Sequence, residues 1–130
     1  MRLLLDTHIW LWSHLAPERL SRRVQRSLEN SSNELWLSPI SVWETTMLCD
    51  RKKLVLDEAV DQWIRRALAA APMHEAAIGS DIALAVRGVA LPHRDPAARF
   101  LVATARVLDL TLVTADERIL KHATIDLLAN

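Results

Sequence analysis

Leu3-Leu4-Leu5-Asp6-Thr7-His8-Ile9-Trp10-Leu11-Trp12 decides the fold. Three apolar residues ended by a charge read as a short buried strand. From Thr7 to Leu15 the apolar positions Ile9, Trp10, Trp12 and Leu15 suit one helix. A strand that turns directly into a helix, with an acid at the junction, is the opening of an α/β unit.

The same alternation continues along the chain. Ala16-Pro17-Glu18 predicts a helix to about Asn30, since proline is at home in a first turn. Glu34 to Leu37 is a second strand. Ser38-Pro39 pairs a capping residue with a first-turn proline and predicts a helix to about Arg51. Asp57 is expected to cap a helix over 58–70, with Ala59, Val60, Trp63, Ile64 and Leu68 inward. Residues 73–78 are ambiguous, with room for a strand. A short helix after Gly79 turns Ile82, Leu84 and Val86 inward. Asp95-Pro96 repeats the cap-plus-proline signal and opens a helix to about Leu108. Leu110 to Val113 is a strand, Ala115 to Lys121 a short helix, and Thr124 to Leu127 a last strand. The expected architecture is a three-layer α/β/α domain around a mainly parallel sheet of four to five short strands.

Composition sets the bounds. The chain has 130 residues, 51% hydrophobic and 25% charged, which suits a single globular domain over 1–130. One cysteine, Cys49, allows no intrachain disulfide, and the start is too short for an h-region or a membrane span. A cytoplasmic protein without membrane contact is therefore expected. Lys+Arg and Asp+Glu balance at 16 each, so no global basic excess marks a nucleic-acid binder. Basic residues cluster locally at Arg22, Arg23 and Arg26, at Arg51, Lys52 and Lys53, and at Arg65 and Arg66, where solvated helix faces are the plainer explanation. With only Gly79 and Gly88, a glycine-rich phosphate loop is excluded.

In parallel α/β folds ligands gather beyond the carboxyl ends of the strands. Asp6 follows the first strand, Thr114 and Asp116 follow a later one, and Glu44 lies two turns into the helix after the second. Carboxylates so gathered repel, by about 4 kcal/mol per pair at 4 Å and an effective dielectric of 20. A divalent cation removes that cost, and oxygen-only ligation suits Mg2+ or Mn2+. The plain alternative is that Asp6, Asp95 and Asp116 each cap a helix, and taken singly each reads first that way. Glu44 resists it, lying inside a helix beside Val42 and Trp43. His8, His14, His74, His93 and His122 are scattered and show no zinc spacing. Trp10, Trp12, Trp43 and Trp63, in a chain without tyrosine, are expected to present an apolar groove to a partner.

Three stretches resemble the PIN domain, specifically the VapC-type toxins of bacterial toxin–antitoxin pairs. They are Leu4 to Trp12; Ser38-Pro39-Ile40-Ser41-Val42-Trp43-Glu44; and His93-Arg94-Asp95-Pro96-Ala97-Ala98-Arg99 running on to Ala105, followed by Leu112-Val113-Thr114-Ala115-Asp116-Glu117-Arg118. The resemblance implies a PIN fold and Mg2+- or Mn2+-dependent RNA cleavage. It implies metal-site acids at Asp6, Glu44 and Asp116, a catalytic role for Asp95, and supporting hydroxyls at Thr7 and Thr114. It further implies a homodimer and a VapB-like antitoxin that blocks the active site and brings any contact with operator DNA. One position departs. The family usually has a second Asp where this chain has Ala98, a ligand position that alanine cannot fill. Compensation by Asp95, native weakening and deliberate inactivation all fit that change, and a non-catalytic PIN module that binds a protein partner is the alternative function.

Overall fold

Leu3, Leu4 and Leu5 are all buried, yet they face two different cores: Leu3 and Leu5 join one apolar cluster and Leu4 the other. Alternation along a strand sends neighbours to opposite faces, so this strand must be covered on both sides. In the computed structural model, which describes residues 1–92 and 94–130, it is the central strand β1 (Arg2–Leu5). His93, counted above among the scattered histidines and within the third motif, lies outside the described residues.

The other strands are β2 (Glu34–Leu37), β3 (His74–Glu75), β4 (Thr111–Thr114) and β5 (Leu127–Ala129). They form one sheet in the order β3-β2-β1-β4-β5, with every described pairing parallel. Leu4 stands level with Trp36 on one neighbour and Leu112 on the other. Helices α1 (Thr7–Leu15), α2 (Arg22–Glu29) and α4 (Val60–Ala70) supply Ile9, Trp10, Val24, Trp63 and Ile64 to the first core. Helices α5 (Ser80–Ala85), α6 (Pro96–Leu108) and α7 (Glu117–His122) supply Ile82, Leu101, Val102 and Ile119 to the second. Helix α3 (Pro39–Asp50) touches both, through Val42 and Leu48 on one side and Ile40 on the other. The expected three-layer α/β/α architecture is what is observed.

Chain order runs outward from β1 through β2 to β3, then returns to β4 on the other side of β1. The reversal makes a switch point between β1 and β4, where the crossovers leave in opposite directions and a crevice opens. Asp6 and Asp116 follow these two strands, and the Asp6 amide donates to the Val113 carbonyl at 3.0 Å.

The cap-plus-proline signals mark real helix starts. Ser38 Oγ accepts the Ile40 amide at 3.1 Å, and Asp95 Oδ1 accepts the Ala97 amide at 3.0 Å. Elsewhere burial overrides local signals. The helix expected from Ala16 to Asn30 is broken: Pro17–Arg19 is a 3-10 turn, and α2 starts only after Ser21 caps the Val24 amide. Between them Leu20 is extended and buried, and Asn130 receives the Ser21 amide at 2.7 Å. Asp57 caps nothing; α4 begins at Val60 behind Ala59, which makes no side-chain cap. Leu54 and Leu56 pack on the core just before, and the chain bends at Asp57 and Glu58 instead of starting the helix there. Leu68 and Leu84 are exposed rather than inward, at 38% and 71%. The last strand falls at Leu127–Ala129, later than expected, because β4 pairs with it from the Asp126 carbonyl onward.

Candidate active site

Asp6 ends β1 and caps α1. Its Oδ1 accepts the Thr7 amide at 2.7 Å and its Oδ2 accepts the Thr114 hydroxyl at 2.6 Å. The same Thr114 oxygen accepts the Asp116 amide at 3.0 Å. Asp116 in turn caps α7 and pairs with Arg118, whose amide and Nε reach its Oδ1 at 2.9 and 3.4 Å. Asp95 caps α6, taking the amides of Ala97 and Ala98 on one oxygen at 3.0 and 3.4 Å. Glu44 comes from the middle of α3 and caps nothing.

These four acids line one cleft of about 230 Å3, together with Ala98, His8 and Arg118. The three aspartates each cap a helix, and the caps also hold their carboxylates around a shared space. Thr7 and Thr114 stand behind the wall, fully buried. Thr7 Oγ1 is bonded to Ser41 Oγ at 2.9 Å and also favours the ionised form of Glu44.

Electrostatics divide the acids. Burial raises the Asp6 carboxyl above its ordinary value, against the opposing hydrogen bond from Thr114. Burial likewise raises Glu44, and the charges of Asp6 and Asp95 add to the effect. Asp116 goes the other way: burial works to raise it, but the Arg118 side chain and amide outweigh that and hold it low.

The donor set is oxygen-rich, as a hard divalent cation requires. Among the described residues, no three side chains of Asp, Glu, His or Cys stand close enough to make a ready ligand group. The fit to a divalent cation rests on the donor chemistry of the cleft, four carboxylates backed by two hydroxyls.

Sequence reading overlooks three contributors. Arg118 restrains Asp116, His8 lies at the cleft beside Asp6, and Ser41 backs Thr7. Each is two or three positions from a named site residue, so spacing held a signal for them. The tryptophans require a correction. Trp10 and Trp63 are buried and meet edge-to-face at 5.6 Å, and Trp12 is partly buried with Arg19 over its ring. Only Trp43 of that set is strongly exposed, at 46%, and it lies beside Glu44. The four do not form one groove, because α1 and α4 spend their indoles on the core between them.

A parallel sheet with acids gathered at its switch point defines a class of α/β protein with an acidic, cation-suited centre. The chain belongs to the PIN domain family, whose model matches residues 3–125. It is 32% identical to Ribonuclease VapC22 of Mycobacterium tuberculosis over 122 residues, 92% of this chain and 90% of that one. VapBC2 of Rickettsia felis, solved bound to a DNA fragment from its promoter, superposes with a TM-score of 0.71 over 99% of this chain and 98% of that one, at 14% identity. VapBC-1 from nontypeable Haemophilus influenzae gives a TM-score of 0.67 at 17% identity, covering 99% and 98%. At such identities the superpositions speak to the shared fold.

Proposed function

We propose that this chain, acting as one domain over 1–130, is the ribonuclease toxin of a toxin–antitoxin pair. The observation that carries the reading is the convergence of Asp6, Glu44, Asp95 and Asp116, from four separate elements, on one cleft. Its relation to Ribonuclease VapC22 supports RNA as substrate, and the VapBC structures support a VapB-like antitoxin as partner. Operator DNA is then reached through the antitoxin, and the toxin works as a homodimer.

Asp6, Glu44 and Asp116 are the residues suited to hold Mg2+ or Mn2+, with Asp95 beside them. Such an ion stabilises the charge that builds on a phosphate under in-line attack. The protein's own contribution is to fix and tune the carboxylates. Thr7 and Thr114 hold both oxygens of Asp6 in place. Burial and the charges of Asp6 and Asp95 raise the Glu44 carboxyl, and a cation held beside it favours its ionised form. Asp116, held low by Arg118, stays ionised throughout.

Ala98 lines the same cleft and favours a second reading, in which the domain binds a partner without cutting RNA. Mn2+ titration with RNA cleavage in parallel separates the two. Cleavage that needs Mn2+ or Mg2+ and is lost in Asp6→Asn supports the ribonuclease; no metal uptake and no cleavage support the binding module.

A further inference from the structure

The acidic cleft does not end at Glu44 and Asp95. The same two residues also line a second hollow of about 350 Å3, whose lining includes Arg51, Lys53 and Trp43. Arg51 and Lys53 are exposed, and neither forms an ion pair with a described residue. The turn that bears the two cations is held in place. Lys52 adopts φ 58°, and the amides of Lys52 and Lys53 return to the carbonyls of Cys49 and Leu48 at 3.0 and 2.9 Å. Trp43 is equally unoccupied: Trp10, Trp12, Trp36 and Trp63 all make ring contacts, whereas Trp43 makes none among the described residues.

A cleft walled by four carboxylates repels a polyanion, so a strand needs a cationic anchor beside it. Single-stranded nucleic acid is held by just this pairing of backbone-tracking cations with an aromatic face that accepts any base. We infer that the hollow is an RNA subsite, in which Arg51 and Lys53 receive a phosphate flanking the scissile one and Trp43 stacks on a base. The inference rests on the ribonuclease reading for its ligand and adds the side of the cleft from which the strand enters. An acidic peptide is the competing occupant. The contiguity with the candidate active site favours RNA, because a strand cut in the acidic cleft must run on past Glu44 and Asp95 into a neighbouring space.

The test uses the whole chain and a short, mixed-sequence oligoribonucleotide, with EDTA present so that nothing is cut. Binding is read by tryptophan fluorescence across a salt titration. Trp43→Leu is expected to lose the quenching and about tenfold in affinity, the scale of one base stack. The pair Arg51→Gln and Lys53→Gln is expected to flatten the slope of log affinity against log salt by about 0.7 to 1.4, one to two phosphate contacts. Arg22→Gln with Arg23→Gln makes the same charge change on α2, away from both hollows, and is expected to alter affinity by less than about twofold. Wild-type affinity and slope in the Arg51/Lys53 pair, or an equal loss in the Arg22/Arg23 pair, overturns the inference. So does unchanged oligonucleotide binding in the Arg51/Lys53 pair combined with loss of its antitoxin complex, which assigns the hollow to protein. Cleavage is measured alongside. RNA cut with unchanged KM in the Arg51/Lys53 pair sinks the subsite alone. RNA bound through these residues but left uncut when Mn2+ or Mg2+ is added sinks the ribonuclease reading and leaves the subsite standing.

Discussion

Thr114 Oγ1 donates to Asp6 Oδ2 at 2.6 Å while accepting the Asp116 amide at 3.0 Å. One buried hydroxyl thus joins two acids that are far apart in the chain, across the boundary between β1 and β4. Thr114→Val keeps the shape and removes both bonds. It is expected to cost about 1–3 kcal/mol of stability, since two buried polar groups lose their partner. It also removes the interaction that restrains the Asp6 carboxyl, so the acid limb of the cleavage profile moves to higher pH. Urea unfolding and a pH–rate series check the two effects, and Thr114→Ser, which keeps the hydroxyl, is expected to restore the limb.

Asp6→Asn tests the cap against the charge. Asparagine still accepts the Thr7 amide, so stability at neutral pH is expected to stay within about 1 kcal/mol of wild type. Cleavage is expected to fall by about a hundredfold or more, as for other groups that stabilise charge in a transition state. Full activity in Asp6→Asn makes this residue a cap and nothing else.

The raised carboxyls set the pH dependence of the metal-free protein. Folding lifts Asp6 and Glu44 above their ordinary values of 3.8 and 4.5, chiefly by burial. The folded state therefore binds their protons more tightly than the unfolded chain. The stability they contribute is present below those ordinary values and is lost as pH rises through the folded ones. Asp116 has the opposite sign: its contribution is present above its ordinary value of 3.8 and fades as pH falls through its lowered one. Glu44→Gln is thus expected to melt higher than wild type near neutral pH and to lose that advantage in acid. Mn2+ should raise the wild-type melting temperature near neutral pH and leave it unmoved in acid. Melting curves over pH, with and without Mn2+, check this.

Ala98→Asp is expected to raise nuclease activity by about tenfold or more, by adding an oxygen ligand at the cleft. Ala98 is only 4% exposed and packs in the core cluster of α6 and β4. A carboxylate there is expected to cost about 1–3 kcal/mol in the metal-free protein. Mn2+ should raise the melting temperature of Ala98→Asp by more than that of wild type. Equal cleavage at every Mn2+ concentration assigns the ligand role to Asp95 instead.

The tryptophans separate by location. Trp10→Ala is expected to cost about 3–5 kcal/mol, because it empties the middle of a core. Trp43→Ala is expected to change stability by less than about 0.5 kcal/mol, as a surface substitution does. Denaturant midpoints decide between this division and a common apolar groove.

Much of the fold is legible because its signals are local. Leu3 to Leu5 alternate between two cores, and Ser38-Pro39 and Asp95-Pro96 announce helices that begin where they say. What is not legible depends on distant partners. No local pattern foretells that Asn130 will hold Ser21 or that Leu54 and Leu56 will pack ahead of α4. The acids of the candidate site are legible from their places after strands and from the family resemblance, since taken alone three of them read as helix caps. Arg118, His8 and Ser41 stand near those acids in sequence, but their contacts form only once the cleft exists.

Because Asp6, Asp95 and Asp116 are caps as well as cleft acids, a replacement there that cannot accept the helix amides weakens the fold while it empties the cleft of a carboxylate. Glu44 starts no helix, so its loss reaches the cleft without undoing a helix start. The architecture thus couples damage to the cleft with damage to folding at three of the four acids and uncouples the two at the fourth.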